Sequence, residues 1–285
     1  MGTVRRDRDP RTVLREAGLR PKKSFGQHFL VSDAIAQSIA RACVPDAEIG
    51  RTRVVEIGAG TGMLTRLLAP RARELVAIER DRELVPVLAR ELAGTSARIL
   101  EADAASIDFT TMWPSQSPES PRVVCGNLPY SITGLLLRRA VDNAQAFDRA
   151  VFMIQEEVAR RLTAPPGNKE RGALTVFVGA VFAVRRLLQV AAGAFHPRPE
   201  VTSALIELVT LRPPRAGVTA AFQALVHRAF QARRKTLRNA WSGLAETPAE
   251  LLRAANRAGV SLDARGETLE VESFARMAEE LNAPP

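Results

Sequence analysis

The sequence predicts an α/β fold, a mostly parallel sheet covered by helices, followed by a small all-helical C-terminal domain. Three observations carry this reading. Short, continuously apolar runs alternate with helical patterns between Arg53 and Gln155, which is the pattern of parallel strands buried on both faces. The first of these runs ends in a turn holding Gly58, Gly60 and Gly62, directly before a helix. Residues 219–285 are rich in Ala, Leu, Arg and Glu and contain no strand-like run.

The elements follow in order. Residues 1–21 read as a basic arm with a short helix around Arg11–Gly18, and Ser32–Cys43 places Ile35, Ile39 and Cys43 at helical spacing. Strands are expected at Arg53–Ile57, Leu75–Glu79, Arg98–Glu101, Arg122–Gly126 and Ala150–Gln155, with helices at Met63–Leu68, Leu84–Leu92 and Leu135–Val141. Val201–Leu211 reads as a late strand. Ser115–Pro121 (SQSPESP) and Ala164–Arg171 (APPGNKER) read as exposed loops, because Pro, Gly and Ser favour turns. The pair Pro213-Pro214 marks a boundary. The expected organisation is therefore an arm (1–21), an α/β domain (22–212) and a helical domain (213–285).

The totals narrow the class of function. The 285 residues carry a net charge of +9, and a basic balance points to a polyanionic partner held through phosphate contacts and counterion release. No apolar run approaches the roughly 20 residues of a membrane span, and the first residues show no apolar signal-peptide stretch, so the expected location is the cytoplasm, away from membranes. Cys43 and Cys125 stand far apart with no metal-ligand spacing. We expect no metal and no disulfide.

The glycine turn predicts the cofactor. Val54–Thr65 reads VVEIGAGTGMLT, so the spacing is E-x-G-x-G-x-G and not the G-x-G-x-x-G that delivers a helix N-terminus to a pyrophosphate. That suits a nucleoside cofactor without phosphate, S-adenosyl-L-methionine, which Gly58 and Gly60 would approach without side chains in the way. Glu79 ends the second strand, where a carboxylate can accept from both ribose hydroxyls. Asp103, after the third strand, can accept from the adenine amine or simply cap a helical turn.

The fourth strand runs into Asn127-Leu128-Pro129-Tyr130. The exocyclic amine of adenine is a poor nucleophile because its lone pair is delocalised into the ring. Two acceptors, the Asn127 side-chain oxygen and the Leu128 carbonyl, can hold its two N–H bonds and favour a pyramidal nitrogen. Pro129 stiffens the turn, and Tyr130 offers a ring on which an unstacked base can lie, worth about 1–3 kcal/mol. Such a base must be unpaired or flipped out. Positioning and electrostatics then suffice, with no metal and no strong base.

With these motifs and four more, Lys22–Leu30 (KKSFGQHFL), Phe152–Leu162 (FMIQEEVARRL), Phe195–Ser203 (FHPRPEVTS) and Phe230–Asn239 (FQARRKTLRN), the chain resembles the bacterial small-subunit (16S) ribosomal RNA adenine-N6,N6-dimethyltransferases. The resemblance implies a Rossmann-like class I methyltransferase with a seven-stranded, mostly parallel sheet. It implies dimethylation of adjacent adenines in a 3′-terminal hairpin loop of 16S rRNA, within an immature small ribosomal subunit, by a monomer. It also implies that His28, where the family has Asn, and Leu30 lie over the cofactor, and that Phe195 is a second stacking aromatic, with the base between Tyr130 and Phe195. Two alternatives stay open: a 23S rRNA adenine methyltransferase of the macrolide-resistance type, which usually shows Asn-Ile-Pro-Tyr, and a non-catalytic RNA-binding assembly factor.

His227–Arg238 holds Arg228, Arg233, Arg234, Lys235 and Arg238 with no acid. Read as one helix, Phe222, Val226, Phe230, Leu237 and Trp241 form an apolar stripe. Arg228 and Lys235 fall opposite it, flanked by Arg234 and Arg238, as a phosphate-contacting face.

Overall fold

The computed structural model describes residues 9–113 and 120–282. The start of the expected arm and Ser115–Glu119 of the expected Ser/Pro loop lie outside the described residues. The chain divides into two compact units, Met1–Ala159 with Arg185–Val209, and Arg160–Val184 with Thr210–Pro285. The second border falls beside the expected one at Pro213, whereas Arg160–Val184, which the sequence reading places in the α/β domain, groups with the C-terminal helices.

The first unit opens with helix α1 (Pro10–Glu16), capped by Asp9, then a two-residue strand β1 (Phe29–Leu30) and helix α2 (Asp33–Cys43). The alternating set follows: β2 (Arg53–Ile57), α3 (Met63–Leu68), β3 (Glu74–Glu79), α4 (Leu84–Glu91), β4 (Arg98–Glu101), β5 (Arg122–Asn127), α5 (Thr133–Asp142) and β6 (Arg149–Gln155). After α6 (Glu156–Leu162) and α7 (Ala173–Val181) come β7 (Phe182–Val190), the short β8 (Phe195–His196) and β9 (Ser203–Thr210). The large sheet has seven strands in the order β4-β3-β2-β5-β6-β9-β7. β2, β3, β4, β5 and β6 pair in parallel, and β9 runs antiparallel to β6.

Every residue of β2 is buried, the charged Arg53 and Glu56 included. On one face of the sheet, Ile39 and Cys43 of α2 and Leu64 and Leu68 of α3 close over Val54, Val123, Cys125 and Met153. Leu88 and Leu92 pack near Ala77 in a second cluster. Each such aliphatic side chain contributes about 1.5–3 kcal/mol through burial. The strand order reverses between β2 and β5, so the carboxyl ends of these two strands flank a crevice. The separate sheet β1–β8 pairs Leu30 with Phe195 and Phe29 with His196.

The second unit is built on aromatic packing. Phe222 and Trp241 each meet Phe274 edge-on, and Phe222 meets Phe177. The helices are α8 (Ala220–Gln231), α9 (Leu237–Ala240), α10 (Pro248–Ala258) and α11 (Val271–Asn282). The expected continuous helix through Trp241 is corrected here: it breaks at residues 232–236. The amides of Leu237 and Arg238 turn outward to the carbonyls of Ala264 and Leu262, both at 2.8 Å, and not back along a helix. Arg233, Arg234 and Lys235 therefore sit in a turn, while the apolar residues Phe222, Val226, Leu237 and Trp241 stay buried.

Candidate active site

The crevice at the β2/β5 switch point is lined by the glycine turn, Glu79, Asp103, Asn127–Tyr130 and the strap from Ser24 to Leu30. Gly58, Gly60 and Gly62 have φ of 70°, 58° and 81°, a region glycine adopts freely. A Cβ on Gly60 would lie 3.1 Å from the Phe29 ring, so the turn also lets the strap approach.

Glu79 is buried at the end of β3. Its two carboxylate oxygens accept from the amides of Gly60 (2.7 Å) and Asp81 (2.8 Å), so it ties the glycine turn to its own strand. Burial raises its pKa, against the pull of those N–H groups. Asp103 caps a 3-10 turn, Oδ1 accepting from the Ala105 amide at 3.0 Å, while Oδ2 pairs with Arg80 at 3.2 Å.

Sequence reasoning gave no role to three residues of this site. Glu56, the acid inside the apolar run V-V-E-I, faces the crevice, and burial pushes its carboxyl up to about 8, with the Thr65 hydroxyl and Arg66 only partly offsetting that. An acid in an otherwise apolar strand was the available signal. Asp81 accepts from Lys22 Nζ (2.7 Å) and Gln27 Nε2 (2.9 Å) and so clasps the strap. Gly126 faces the Ile57 backbone of β2 across the β5 ladder.

A folded-state pKa above the unfolded value makes Glu56 stabilising when protonated. That contribution is whole below about pH 4.5 and is lost as pH rises toward 8, at up to about 1.4 kcal/mol per pH unit. Glu79 acts in the same direction. The urea midpoint of the ligand-free protein is therefore expected to fall between pH 5 and 8, and Glu56→Gln to flatten that fall. Parallel profiles for the two proteins would exclude the effect.

At the β5 end, Asn127 Nδ2 donates to the carbonyl of His28 at 2.7 Å. Its Oδ1 is buried and has no hydrogen-bond partner among the described residues. The Leu128 amide donates to the Met153 carbonyl at 3.0 Å, and the Pro129 carbonyl accepts from the Ile132 amide and the Thr133 hydroxyl. Tyr130 shares a 2.7 Å hydrogen bond with Ser203, and burial raises its pKa, keeping the phenol neutral. His28 Nδ1 stands 2.8 Å from the Pro197 carbonyl. A carbonyl only accepts, so that nitrogen carries the hydrogen.

The structure thus brings His28, Leu30, Gly58, Gly60, Glu79, Asp103, Asn127, Leu128, Pro129 and Tyr130 to one crevice. Phe195 is 4% exposed and packs with Leu30, Val190 and Leu205, so its ring is covered in this structure. Its place opposite Leu30 in the β1–β8 ladder turns the ring inward. The ring that stacks on Tyr130 is that of His28, with centroids 5.4 Å apart and planes 24° apart.

The basic residues of the second unit divide. Arg228 donates to the Ser242 carbonyl at 2.6 Å and Arg238 pairs with Asp263 at 3.2 Å. Arg234 and Lys235 are exposed. Among the described residues no cluster of His, Cys, Asp and Glu fits a metal ion, and no helix is long and apolar enough to cross a membrane.

A glycine turn after β2, an acid ending β3 and Asn-Leu-Pro-Tyr after β5, at the switch point of a seven-stranded sheet, define a Rossmann-like methyltransferase. The chain belongs to the ribosomal RNA adenine dimethylase family, whose model matches residues 18–283. It is 42% identical over 279 residues to the ribosomal RNA small subunit methyltransferase A of Anaeromyxobacter sp. (strain K), covering 94% of this chain and 96% of that one. Against the protein of the same name from Myxococcus xanthus it is 40% identical, covering 93% of each. A dimethyladenosine transferase from Plasmodium falciparum shares the fold, with a TM-score of 0.76 at 22% identity over 88% of this chain and 96% of that one. The 23S rRNA methyltransferase ErmE superposes with a TM-score of 0.66 at 25% identity, over 90% of this chain and all of the other.

Proposed function

We propose that the chain dimethylates N6 of adjacent adenines in the 3′-terminal hairpin loop of 16S rRNA, acting as a monomer on an immature small subunit in the cytoplasm. The observation that carries this reading is Asn127 Oδ1, a buried acceptor beside the crevice that has no partner among the described residues. Leaving such an atom unsatisfied costs about 1–3 kcal/mol, so a donor that reaches it is held there. Relatives named for the small subunit, at 40–42% identity, support that target.

When bound, S-adenosylmethionine supplies an electrophilic methyl group on a positively charged sulfur. The crevice fits it: the glycine turn presents main chain alone, and Glu79 offers carboxylate lone pairs beside that turn. Gly58, Gly60, Glu79, Asp103, Leu30 and His28 would hold it. The chain's own work lies at the amine. Asn127 Oδ1 and the Leu128 carbonyl accept its two N–H bonds, which frees the nitrogen lone pair. The neutral Tyr130 ring presents a face to the base. Arg234 and Lys235, with Arg228 and Arg238 at the cost of their present partners, contact RNA phosphates. No metal takes part.

The test is methyl transfer to small subunits that lack the modification, with the product nucleoside identified. N6,N6-dimethyladenosine in 16S rRNA is the expected product. Label in 23S rRNA, or none, would refute the reading.

A further inference from the structure

The adenine end of the crevice holds a contact that the proposed chemistry does not use. Arg80 Nη1 pairs with Asp103 Oδ2 at 3.2 Å, and Oδ1 of the same carboxylate is committed to the Ala105 amide at 3.0 Å. Both oxygens of Asp103 are therefore engaged from within the chain. Both residues line the crevice, Arg80 following Glu79 and Asp103 following Ala102 in the chain. The Arg80 guanidinium also faces the Phe25 ring of the strap, 5.3 Å from its centroid, and Lys22 Nζ lies 5.5 Å from the same centroid.

We infer that Arg80 is an internal competitor for Asp103, one that the cofactor's adenine amine displaces on binding. The inference rests on the proposed role of Asp103 as acceptor for that amine. Three features make the exchange workable. The Ala105 contact fixes the carboxylate, so Oδ2 keeps its direction whichever donor holds it. The pair is open to water, with side chains 57% and 36% exposed, so it breaks easily. The released guanidinium keeps the Phe25 face, a cation–π contact that leaves no charge stranded. Arg80 thereby sets cofactor affinity without touching the reacting atoms, and its hold on Asp103 weakens as salt screens the pair.

The test is calorimetric titration with S-adenosylhomocysteine of the wild type, Arg80→Ala, Asp103→Ala and the double variant, at low and high salt. Arg80→Ala is expected to bind about two- to fivefold tighter, the range an exposed ion pair allows. Asp103→Ala binds more weakly, and adding Arg80→Ala to it changes nothing further. Wild-type affinity rises with salt, while that of Arg80→Ala does not. An Arg80→Ala protein that binds equally or more weakly overturns the competitor role and leaves the Asp103 reading standing. Unchanged affinity in Asp103→Ala overturns the Asp103 reading itself. Failure of the wild type to bind the probe overturns the cofactor reading, and this inference with it.

Discussion

Replacing Asn127 by Ala is expected to lower the single-turnover rate of methyl transfer by about 10²–10³-fold, the size seen when one preorganised polar contact to a reacting centre is removed. RNA affinity should change little, because phosphate contacts dominate it. Asn127→Asp should be no better. The aspartate keeps the shape but turns the Nδ2 donor into an oxygen that repels the His28 carbonyl, which Asn127 now meets at 2.7 Å. The pair of variants separates two explanations: an acceptor role alone would be rescued by Asp, whereas an acceptor that must also be anchored would not. A rate within about threefold of wild type for Asn127→Ala would remove the residue from the chemistry.

Gly126→Ala is expected to be the most damaging single methyl group in the chain. The added Cβ would lie 2.3 Å from the Ile57 carbonyl oxygen and 3.2 Å from its carbon, both main-chain atoms of the neighbouring strand. No side chain can swing aside, so β2 and β5 must part at the Ile57–Gly126 register, immediately before both the glycine turn and Asn127. We expect a loss above about 3 kcal/mol in urea unfolding, a large share of typical domain stability. Any protein that still folds should bind S-adenosylhomocysteine poorly. A loss under about 1 kcal/mol with intact binding would contradict the geometry.

The central strands were legible because burial on both faces leaves no room for alternation. Arg53–Ile57 falls where the sequence places it, as does the partly exposed edge strand Arg98–Glu101, and the remaining ends differ by a residue or two. Most of the crevice was legible for a related reason, since topology brings the residues after β2, β3, β4 and β5 to one edge. What stayed hidden depends on partners distant in sequence. β7 (FAVRRLLQV) carries two arginines and follows the apolar α7 without a break, so no local signal separates strand from helix. The interruption at residues 232–236 is imposed by carbonyls of Leu262 and Ala264, which a helical-wheel reading of 222–241 cannot contain. The stacking of the His28 ring on Tyr130 and the burial of Phe195 rest on contacts between residues far apart in sequence, which no local pattern carries.

The bond from Asn127 to residue 28 ends on a carbonyl of the main chain. Every amino acid supplies that oxygen, so the anchor of the Asn127 amide is indifferent to which side chain stands at position 28. Histidine can stand there without loosening the hold on the Asn127 amide. The side chain is then released for separate duty, which in this chain is to lie against the Tyr130 ring. The orientation of the Asn127 amide and the surface beside Tyr130 are thus set separately, one through the backbone and the other through a ring.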